Sequence, residues 1–221
     1  MKTTAIIQAR MGSSRFPGKI LERINGITIL QSLFEQLKYS ELIDNKIIAT
    51  TENKEDDALV DFGNSEKIDI FRGSDIDVLD RYYQCAKTNS LENIVRITSD
   101  CPLIDPTIID AVINQYKSGN YDYVNNFSKT RCASGFEIEI FSFTCIEEAW
   151  KNAKNDEREH VTKYIYHNPN KFKIGNTSDE KSFKDLHLSV DTESDLELVR
   201  LIYDKINSRP ILFSQILNII S

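Results

Sequence analysis

The feature that most constrains this chain is a short apolar run near the N-terminus that leads directly into a cation-bearing loop. Residues 5–7, Ala-Ile-Ile, are apolar in the manner of a buried strand. The loop that follows contains the small or turn-forming residues Gly12, Ser13, Ser14, Pro17 and Gly18 and the cations Arg10, Arg15 and Lys19. Small residues let backbone N–H groups approach a polyanion, and cations neutralise its charge. We therefore predict a loop that binds a triphosphate; the alternative is a turn with solvated charges.

The spacing within this loop excludes two common phosphate-binding motifs. Five residues separate Gly12 from the Gly18-Lys19 pair, one more than the P-loop allows. Ile20 stands where the P-loop needs a hydroxyl group for magnesium. No G-x-G-x-x-G occurs in the sequence, so it does not indicate a dinucleotide-binding fold either.

Length, charge and cysteine spacing limit the class of protein. The 221 residues suffice for one sizeable α/β domain. A formal net charge of −7 argues against binding to nucleic acid or to an anionic membrane, although a local group of cations can hold one small anion. We find no apolar run of the ~20 residues that span a bilayer and no signal peptide. The cysteines lack C-x-x-C spacing, which predicts reduced thiols and a cytoplasmic protein; they are Cys85, Cys101, Cys132 and Cys145.

Segments with strand character alternate with segments of helical periodicity along most of the chain. The predicted strands are 5–7, 46–51, 68–71, 94–98, 121–125, 136–141 and 186–190, with an exposed loop over 126–134. The predicted helices include 27–37, 75–86, 108–116, 146–153, 157–167 and 194–206. Strands that alternate with helices imply parallel pairing with right-handed crossovers. We therefore predict an α/β fold, a single-domain doubly wound and mostly parallel sheet with helices on both faces.

Two aspartates follow predicted strands at positions suited to a metal ion. Asp100 comes just beyond the strand 94–98, and Asp191 ends the strand 186–190. Ligands bind at the carboxyl edge of such a sheet, and Mg²⁺ takes one or two carboxylates together with phosphate oxygens and water. The alternative is that each aspartate only caps the helix that follows it. Position alone leaves both interpretations open.

Residues 8–19, Gln-Ala-Arg-Met-Gly-Ser-Ser-Arg-Phe-Pro-Gly-Lys, closely resemble the opening motif of the cytidylyltransferases that make CMP-activated sugars. The nearest branch resembles the spore-coat polysaccharide biosynthesis cytidylyltransferase-like proteins, relatives of the CMP-Kdo and CMP-sialate synthetases. Residues 99–106 are similar to the family's aspartate-cysteine-proline signature, although Ser99 stands where close relatives more often have Gly. Residues 189–196 resemble its valine-aspartate-threonine signature. The resemblance implies a nucleotide-diphospho-sugar transferase-like Rossmann-type fold in one domain over 1–221.

The resemblance also implies a role for particular residues. It makes Asp100 and Asp191 the ligands of Mg²⁺. The nucleotide-binding residues that it implies are Gln8, Ala9, Arg10, Gly12, Ser13, Arg15, Lys19, Arg72 and Thr98. Among these, the catalytic residues that meet phosphate charge are Arg10, Arg15 and Lys19. The sugar-binding residues that it implies are Glu137, Glu139, Arg158 and His160, for which the alternative is a solvated charged surface.

Two further residues carry weaker predictions from their positions alone. Arg96 is a charge within an otherwise apolar strand, so we expect it to have a partner, for which a base or a substrate is one candidate. His187 is predicted to be an ordinary surface or packing histidine.

The predicted activity is CTP-dependent transfer of CMP, with Mg²⁺, to an acidic or phosphorylated sugar for surface-glycan assembly. The choice of cytidine comes from the resemblance, because no residue spacing reads a base. One alternative is a hexose-1-phosphate-type nucleotidyltransferase that uses UTP or GTP. A second alternative is a catalytically silent protein that binds a nucleotide sugar. Family analogy further implies a homodimer, and the sequence does not identify the sugar.

Overall fold

A seven-stranded sheet forms the centre of the computed structural model, which describes residues 2–127, 132–177 and 182–220. Its strands lie in the order β5-β4-β1-β6-β8-β7-β9. Their bounds are β1 (Thr3–Gln8), β4 (Asn45–Thr51), β5 (Asp69–Gly73), β6 (Asn93–Thr98), β7 (Tyr123–Asn125), β8 (Glu139–Ser142) and β9 (Ile174–Asn176). All neighbouring strands pair in parallel except β8, which is antiparallel to both β6 and β7. The prediction of a mostly parallel sheet is confirmed.

Helices cover both faces of this sheet. Their bounds are α1 (Ile29–Leu37), α2 (Asp57–Glu66), α3 (Val78–Thr88), α4 (Pro106–Gly119), α5 (Phe143–Asn152), α6 (Lys163–His167), α7 (Glu193–Lys205) and α8 (Phe213–Ile220). Several helices begin at the side-chain caps that the sequence provides. Asp105 accepts a hydrogen bond from the Thr107 N–H at the start of α4, where Pro106 is the first helical residue. Thr192 caps α7 in the same way, through the Asp195 N–H.

Three apolar clusters hold the layers together. One lies between the sheet and helices α1 and α4 and includes Leu33, Val95 and Ile113. A second lies on the opposite face, where Tyr82 of α3 and Ile146 of α5 are fully buried. The third joins α7 and α8 to residues outside the sheet. Helices on both faces confirm the doubly wound architecture, and no helix in the described ranges has the length and apolar character to cross a membrane.

A small hairpin replaces the first turn of the predicted helix 27–37. Its strands are β2 (Arg23–Ile24) and β3 (Ile27–Thr28), and the two residues between them, Asn25 and Gly26, have φ values of 49° and 96°. Asn-Gly is the preferred pair for a two-residue hairpin, because both positions require positive φ. The helix therefore begins only at Ile29, after a capping box between Thr28 and Gln31.

The predicted helix 157–167 is wrong in its first half. Only Lys163–His167 forms an α-helix, after a 3₁₀ turn at Asn155–Glu157. Val161 has a φ of 45°, which a right-handed helix does not accommodate. The charged residues between the 3₁₀ turn and α6 therefore form a non-helical turn and not one side of a helix.

Three of the predicted strands are shorter or absent, and one of them, 121–125, is reduced to Tyr123–Asn125. The strand 136–141 begins only at Glu139, because the Asn126 side chain bonds to the Phe136 carbonyl and to the Ile138 N–H. The segment 186–190 makes only an isolated bridge, between Ser134 and His187, and packs Leu188 and Val190 into the third apolar cluster. The predicted loop 126–134 lies in part outside the described residues, and Asn126 and Ala133 are buried. All four cysteines are free thiols, as predicted.

Candidate active site

The N-terminal loop is folded by its own backbone at the carboxyl end of β1. The Met11 carbonyl accepts hydrogen bonds from the N–H groups of Ser13 and Gly18, at 2.9 Å and 3.0 Å. The Met11 N–H donates to Asp56 Oδ1 at 2.6 Å, which attaches the loop to the start of α2. Gly18 has a φ of 73°, a conformation that glycine adopts without strain. This turn directs the side chain of Lys19 back toward the sheet, where it is only 10% exposed.

The two predicted metal ligands meet at this lysine. Lys19 Nζ donates to Asp100 Oδ2 at 2.8 Å and to Asp191 Oδ1 at 2.9 Å, and Arg15 pairs with the same Asp191 oxygen at 2.8 Å. The Val190 N–H donates to the Asp100 carbonyl at 2.8 Å, which fixes the two segments side by side. The apolar residues of 186–190 predict a sheet strand that ends at Asp191. That placement is wrong, and this backbone bond brings the aspartate to the site without one.

The charges at this point stabilise one another. Burial alone would lower the pKa of Lys19, but the charge and hydrogen bond of Asp100, with those of Asp191, raise it above its ordinary value. Burial likewise acts to raise the pKa of Asp191, but the Lys19 hydrogen bond and charge outweigh it and the pKa is lowered. Both groups are therefore charged at neutral pH. His187 Nε2 lies 3.5 Å from Asp191 Oδ2, so this histidine belongs to the site.

The donor set fits a magnesium ion that arrives with a phosphate ligand. Among the described residues, no three His, Cys, Asp or Glu side chains form a group that could hold a metal ion by themselves. Mg²⁺ does not need such a group, because it is bound by one or two carboxylates plus substrate phosphates and water. Asp100 and Asp191 could supply these two carboxylates, and in the described part of the chain Asp100 Oδ1 has only a long 3.6 Å contact with the Cys101 thiol.

Two adjoining cavities open beside this cluster. The first cavity, of about 240 Å³, is lined by Gln8, Arg10, Gly12, Ser13, Ser14, Arg15, Lys19, Ile20, Thr98, Ser99 and Asp100. The second cavity, of about 460 Å³, is lined by Gln8, Arg10, Asp75, Ile76, Val78, Arg81, Arg96, Glu159 and His160. Gln8 and Arg10 line both, so a molecule in one cavity lies next to a molecule in the other. Together they have the cations and the space for a phosphate chain and a second reactant.

Comparison with known proteins identifies the family of the chain. Residues 4–215 match a family model described as cytidylyltransferase. The chain belongs to the cytidylyltransferase family. This cytidylyltransferase-family chain is 44% identical over 201 residues to an uncharacterized protein of Methanocaldococcus jannaschii, a match that covers 90% of this chain and 82% of the relative. It is 30% identical over 217 residues to the spore coat polysaccharide biosynthesis protein SpsF of Bacillus subtilis, which covers 93% of this chain and 88% of SpsF.

Solved structures of similar proteins share the fold. A cytidylyltransferase of Leptospira borgpetersenii has a TM-score of 0.93 at 34% identity, over 100% of this chain and 94% of that one. A CMP:2-keto-3-deoxy-manno-octonic acid synthetase complexed with CTP has a TM-score of 0.71 at 16% identity, over 93% of this chain and 99% of that one. The second likeness is one of fold alone. These comparisons confirm the resemblance of residues 8–19, 99–106 and 189–196 to the cytidylyltransferases.

Two of the predicted nucleotide-binding residues of this cytidylyltransferase-family chain do not line the cavities. Ala9 is buried and donates its N–H to the Ala49 carbonyl. Arg72 donates to the Thr51 and Asn53 carbonyls at 2.8 Å each and pairs with Asp57. Arg72 therefore holds the end of β4 to the start of α2. The other predicted nucleotide-binding residues all line the first cavity: Gln8, Arg10, Gly12, Ser13, Arg15, Lys19 and Thr98.

The predicted sugar-binding residues divide into two groups. His160 lines the second cavity, whereas Glu137 is not among the residues that line either cavity and accepts a hydrogen bond from the Gly135 N–H at 2.7 Å. Desolvation by the surrounding protein raises the pKa of Glu137, and the charge of Asp100 adds to the effect. Arg158 pairs with Asp77 at 2.6 Å and donates to the Trp150 carbonyl, so its guanidinium is used within the protein. Glu139 is buried and is likewise fully bonded within the protein.

Several residues of the site were not among the predicted ones. Arg81 and Asp75 line the second cavity, and Asp75 pairs with Arg10 at 3.0 Å. Arg96 was expected to have a partner, and the structure shows that this partner is Glu139, at 2.6 Å. His187 precedes Asp191 by four positions, a spacing that places two side chains on one face of an extended segment. That spacing is a signal that could have associated His187 with the site.

Proposed function

We propose that this protein transfers CMP from CTP to an acidic or phosphorylated sugar and releases pyrophosphate. The observation that carries the proposal is the meeting of Lys19, Asp100 and Asp191 at the wall of the first cavity. The family supports an enzyme of this class. The names of the similar proteins support the choice of CTP and of a role in polysaccharide assembly.

The reaction that these residues would serve is an in-line displacement. An oxygen of the acceptor sugar forms a bond to the α-phosphorus, the bond from that phosphorus to the bridging oxygen of the β-phosphate breaks, and pyrophosphate leaves. The protein contributes mainly position and charge. Loop N–H groups, Lys19 and Arg10 would bind the α- and β-phosphates, and Arg15 would neutralise the departing pyrophosphate.

The two aspartates complete the proposed site. Asp100 and Asp191 would hold Mg²⁺, whose chemistry when bound is to neutralise phosphate charge and polarise phosphate oxygens. To do so the aspartates must exchange Lys19 and Arg15 for the metal, while the phosphates offer both cations a new partner. Gln8 and Arg10, which line both cavities, would hold the nucleotide beside the acceptor.

Pyrophosphate release tests the proposal. The purified protein is incubated with each of the four ribonucleoside triphosphates and Mg²⁺, across a panel of ulosonic acids and sugar phosphates. We expect release only with CTP and one class of acceptor, together with a CMP-linked product. Release with UTP or GTP and a hexose 1-phosphate would favour the other nucleotidyltransferase class. No release with any pair would leave a protein that binds nucleotide sugars without turning them over.

The expected homodimer and cytoplasmic location stay predictions from family analogy and composition. Light scattering of the purified protein after size-exclusion chromatography measures the first, with twice the chain mass of 25.4 kDa expected. A mass of 25.4 kDa would contradict it.

A further inference from the structure

A third cavity lies at the edge of the sheet opposite to the candidate active site. The candidate active site is at the carboxyl end of β1, whereas the third cavity is at the amino ends of β4 and β5, which run parallel to β1. The last turns of α1 and α2 contribute to its other walls. Its volume is about 530 Å³, a size typical of small-molecule sites. Among the described residues, none lines both this cavity and either of the other two.

The positive charge of the third cavity is only partly neutralised. Its lining includes three lysines and one arginine, and within the described ranges only one of these cations, Lys38, has a carboxylate partner. That pair, with Glu35, is exposed, so Lys38 can exchange its partner for a ligand at little cost. Lys46 is half-buried, and in the part of the chain that the structure describes its ammonium group has neither a hydrogen bond nor an ion pair.

The carboxylates that line the third cavity do not compensate Lys46. Three of those in the described lining already accept from a donor elsewhere: Glu35 from Lys38, Asp44 from the Thr3 N–H at 2.7 Å, and Glu66 from Gln31 at 3.1 Å. The other, Asp69, is exposed at the start of β5. Burial lowers the pKa of Lys46 from its ordinary value, and the charge of Lys38 lowers it further. The strongest charge that acts on Lys46 is therefore another cation.

Part of the lining is apolar. Phe34 of α1 is 6% exposed and belongs to the first apolar cluster, and Ile68 packs against that cluster. Ile27 of β3 is half-buried at the same cavity. A ligand in the third cavity therefore meets both unpaired cations and apolar carbon atoms. A molecule with a charged end and an apolar end matches this lining, because removal of its apolar end from water is favourable.

Two neighbouring ammonium groups favour a doubly charged group over a singly charged one. A phosphate monoester carries a charge of about −1.5 to −2 at neutral pH and presents three acceptor oxygens. One such group can pair with Lys46 and Lys38 together, which offsets the repulsion between them. A carboxylate brings only a single charge and two oxygens.

We propose that the third cavity binds a phosphate monoester with an apolar substituent, its phosphate on Lys46 and Lys38 and its substituent against Phe34. The proposed transferase site is at the opposite edge of the sheet, so the inference goes beyond the proposed function and does not rest on it. Lys46 is the residue on which this binding depends most, because its ammonium group has no other partner among the described residues.

A titration that resolves the two edges of the sheet tests the proposal. Phenyl phosphate is added to the isotopically labelled protein. Two-dimensional amide NMR then follows residues 44–46 and 66–69 at the third cavity separately from residues 8–19 at the N-terminal loop. Phenol, inorganic phosphate and benzoate are the comparison probes, because they lack the phosphate, the apolar group and the second charge, respectively.

The variants change the charge at one position at a time. Lys46→Gln removes the ammonium group and leaves no described partner unpaired, and Lys46→Arg keeps the charge. Lys38→Gln removes the second cation. Lys117→Gln is the matched control, because Lys117 is an exposed residue of α4 that lines none of the three cavities. Thermal melts confirm that each variant is folded.

We expect phenyl phosphate to shift the amide signals at the third cavity and to bind there at least about tenfold more tightly than any comparison probe, or by about 1.4 kcal/mol. Lys46→Gln should weaken this binding at least about tenfold, and Lys38→Gln should weaken it by less. Lys46→Arg and Lys117→Gln should bind within about twofold of the wild type. The signals of residues 8–19 should respond equally in all variants, since the loop lies at the other edge of the sheet.

Three results would overturn the inference. One is a set of shifts confined to residues 8–19, which would place the phosphate in the N-terminal loop alone. Another is binding at the third cavity that Lys46→Gln leaves unchanged. A third is inorganic phosphate or benzoate that binds there as tightly as phenyl phosphate, which would remove the apolar group or the phosphate from the assigned ligand class. None of these results depends on pyrophosphate release, so failure of this inference and failure of the proposed function are distinguishable.

Discussion

Two clusters of carboxylates and cations in this molecule differ sharply in their surroundings. In the loop cluster, formed by Arg15, Lys19, Asp100 and Asp191, the ion pairs line an open cavity and the Arg15 side chain is 63% exposed. In the sheet cluster, formed by Arg96, Tyr123, Glu139 and Thr162, the carboxylate side chain is 3% exposed and three donors saturate it. The ion pairs of the loop cluster are therefore open to exchange with a ligand, whereas the carboxylate of the sheet cluster is fixed by its bonds within the protein.

The difference follows from exposure to solvent, because water can solvate a charge that loses its partner at the surface but not one that is buried. The Arg15–Asp191 pair is open to solvent, and an exposed ion pair contributes about 0–1 kcal/mol, so an incoming phosphate displaces it at little cost. Breaking a buried pair costs about 3–5 kcal/mol, because one charge is left without a partner. The loop cluster is therefore suited to exchanging partners during a reaction. The sheet cluster is suited to holding one side chain in a single position.

The largest expected effect concerns the sheet cluster. Glu139→Leu should lower the free energy of unfolding by about 3–5 kcal/mol, since Arg96 would stay buried without its counter-charge. Arg15→Gln, which removes the solvent-exposed ion pair with Asp191, should change the same quantity by no more than about 1 kcal/mol. Urea unfolding followed by circular dichroism measures both. Similar values for the two variants would remove the contrast between the clusters.

Substitutions in the loop cluster should change activity more than stability. Asp100→Asn should lower kcat for pyrophosphate release by about 10²–10³-fold, because the carboxylate that would hold Mg²⁺ loses its charge. The melting temperature should stay close to that of the wild type. A variant with kcat within a few-fold of the wild type would exclude Asp100 as a metal ligand.

Substitution of Lys19 tests whether this lysine and a metal ion compete for the two aspartates. Without nucleotide, Lys19→Gln should bind Mn²⁺ about tenfold more tightly than the wild type, or by about 1.4 kcal/mol. The reason is that the ammonium group no longer competes for Asp100 and Asp191, to which it donates at 2.8 Å and 2.9 Å. Electron paramagnetic resonance of free Mn²⁺ measures the affinity, and Lys38→Gln serves as a control far from the site. Equal affinities in all three proteins would show that Lys19 does not compete.

The smallest expected effect is on the dependence of stability on pH. The pKa of Asp191 is lowered in the folded protein from an unfolded value near 3.8, so its ion pairs stabilise the fold above that value. This contribution should disappear as the pH falls through the folded pKa. The wild type and Asp191→Asn, compared by unfolding between pH 7 and pH 3, should therefore differ most at neutral pH. A difference that grows on acidification would reverse the assigned sign.

Much of the fold could be predicted because local signals and long-range packing agree. The strands 46–51 and 94–98 are largely apolar and have a paired strand on each side, and the structure has them at nearly the same bounds. The segment 186–190 alternates apolar and polar residues, but within the described residues it makes only the bridge to Ser134, and its apolar residues pack in the third apolar cluster with α7. Periodicity reports which side chains are buried, and it does not report what buries them.

The candidate site likewise has features that local sequence predicts and features that depend on long-range contacts. The motif of residues 8–19 indicated a phosphate-binding loop because small residues and cations occur together there. The long-range contacts that bring Asp191 to Asp100, among them the backbone bond from the Val190 N–H, are reported by no local pattern. The charge of Arg96 in an apolar strand predicted a partner, but only the packing of β6 against β8 shows that this partner is Glu139.

The central claim is that the N-terminal loop and the two aspartates form one site for a nucleotide and a metal ion. Mn²⁺ titration in the presence and absence of CTP tests it most directly, in the wild type and in the double variant Asp100→Asn/Asp191→Asn. We expect CTP to tighten Mn²⁺ binding to the wild type at least about tenfold, and to have no such effect on the double variant. Mn²⁺ binding that CTP does not change, or that survives loss of both carboxylates, would contradict the claim.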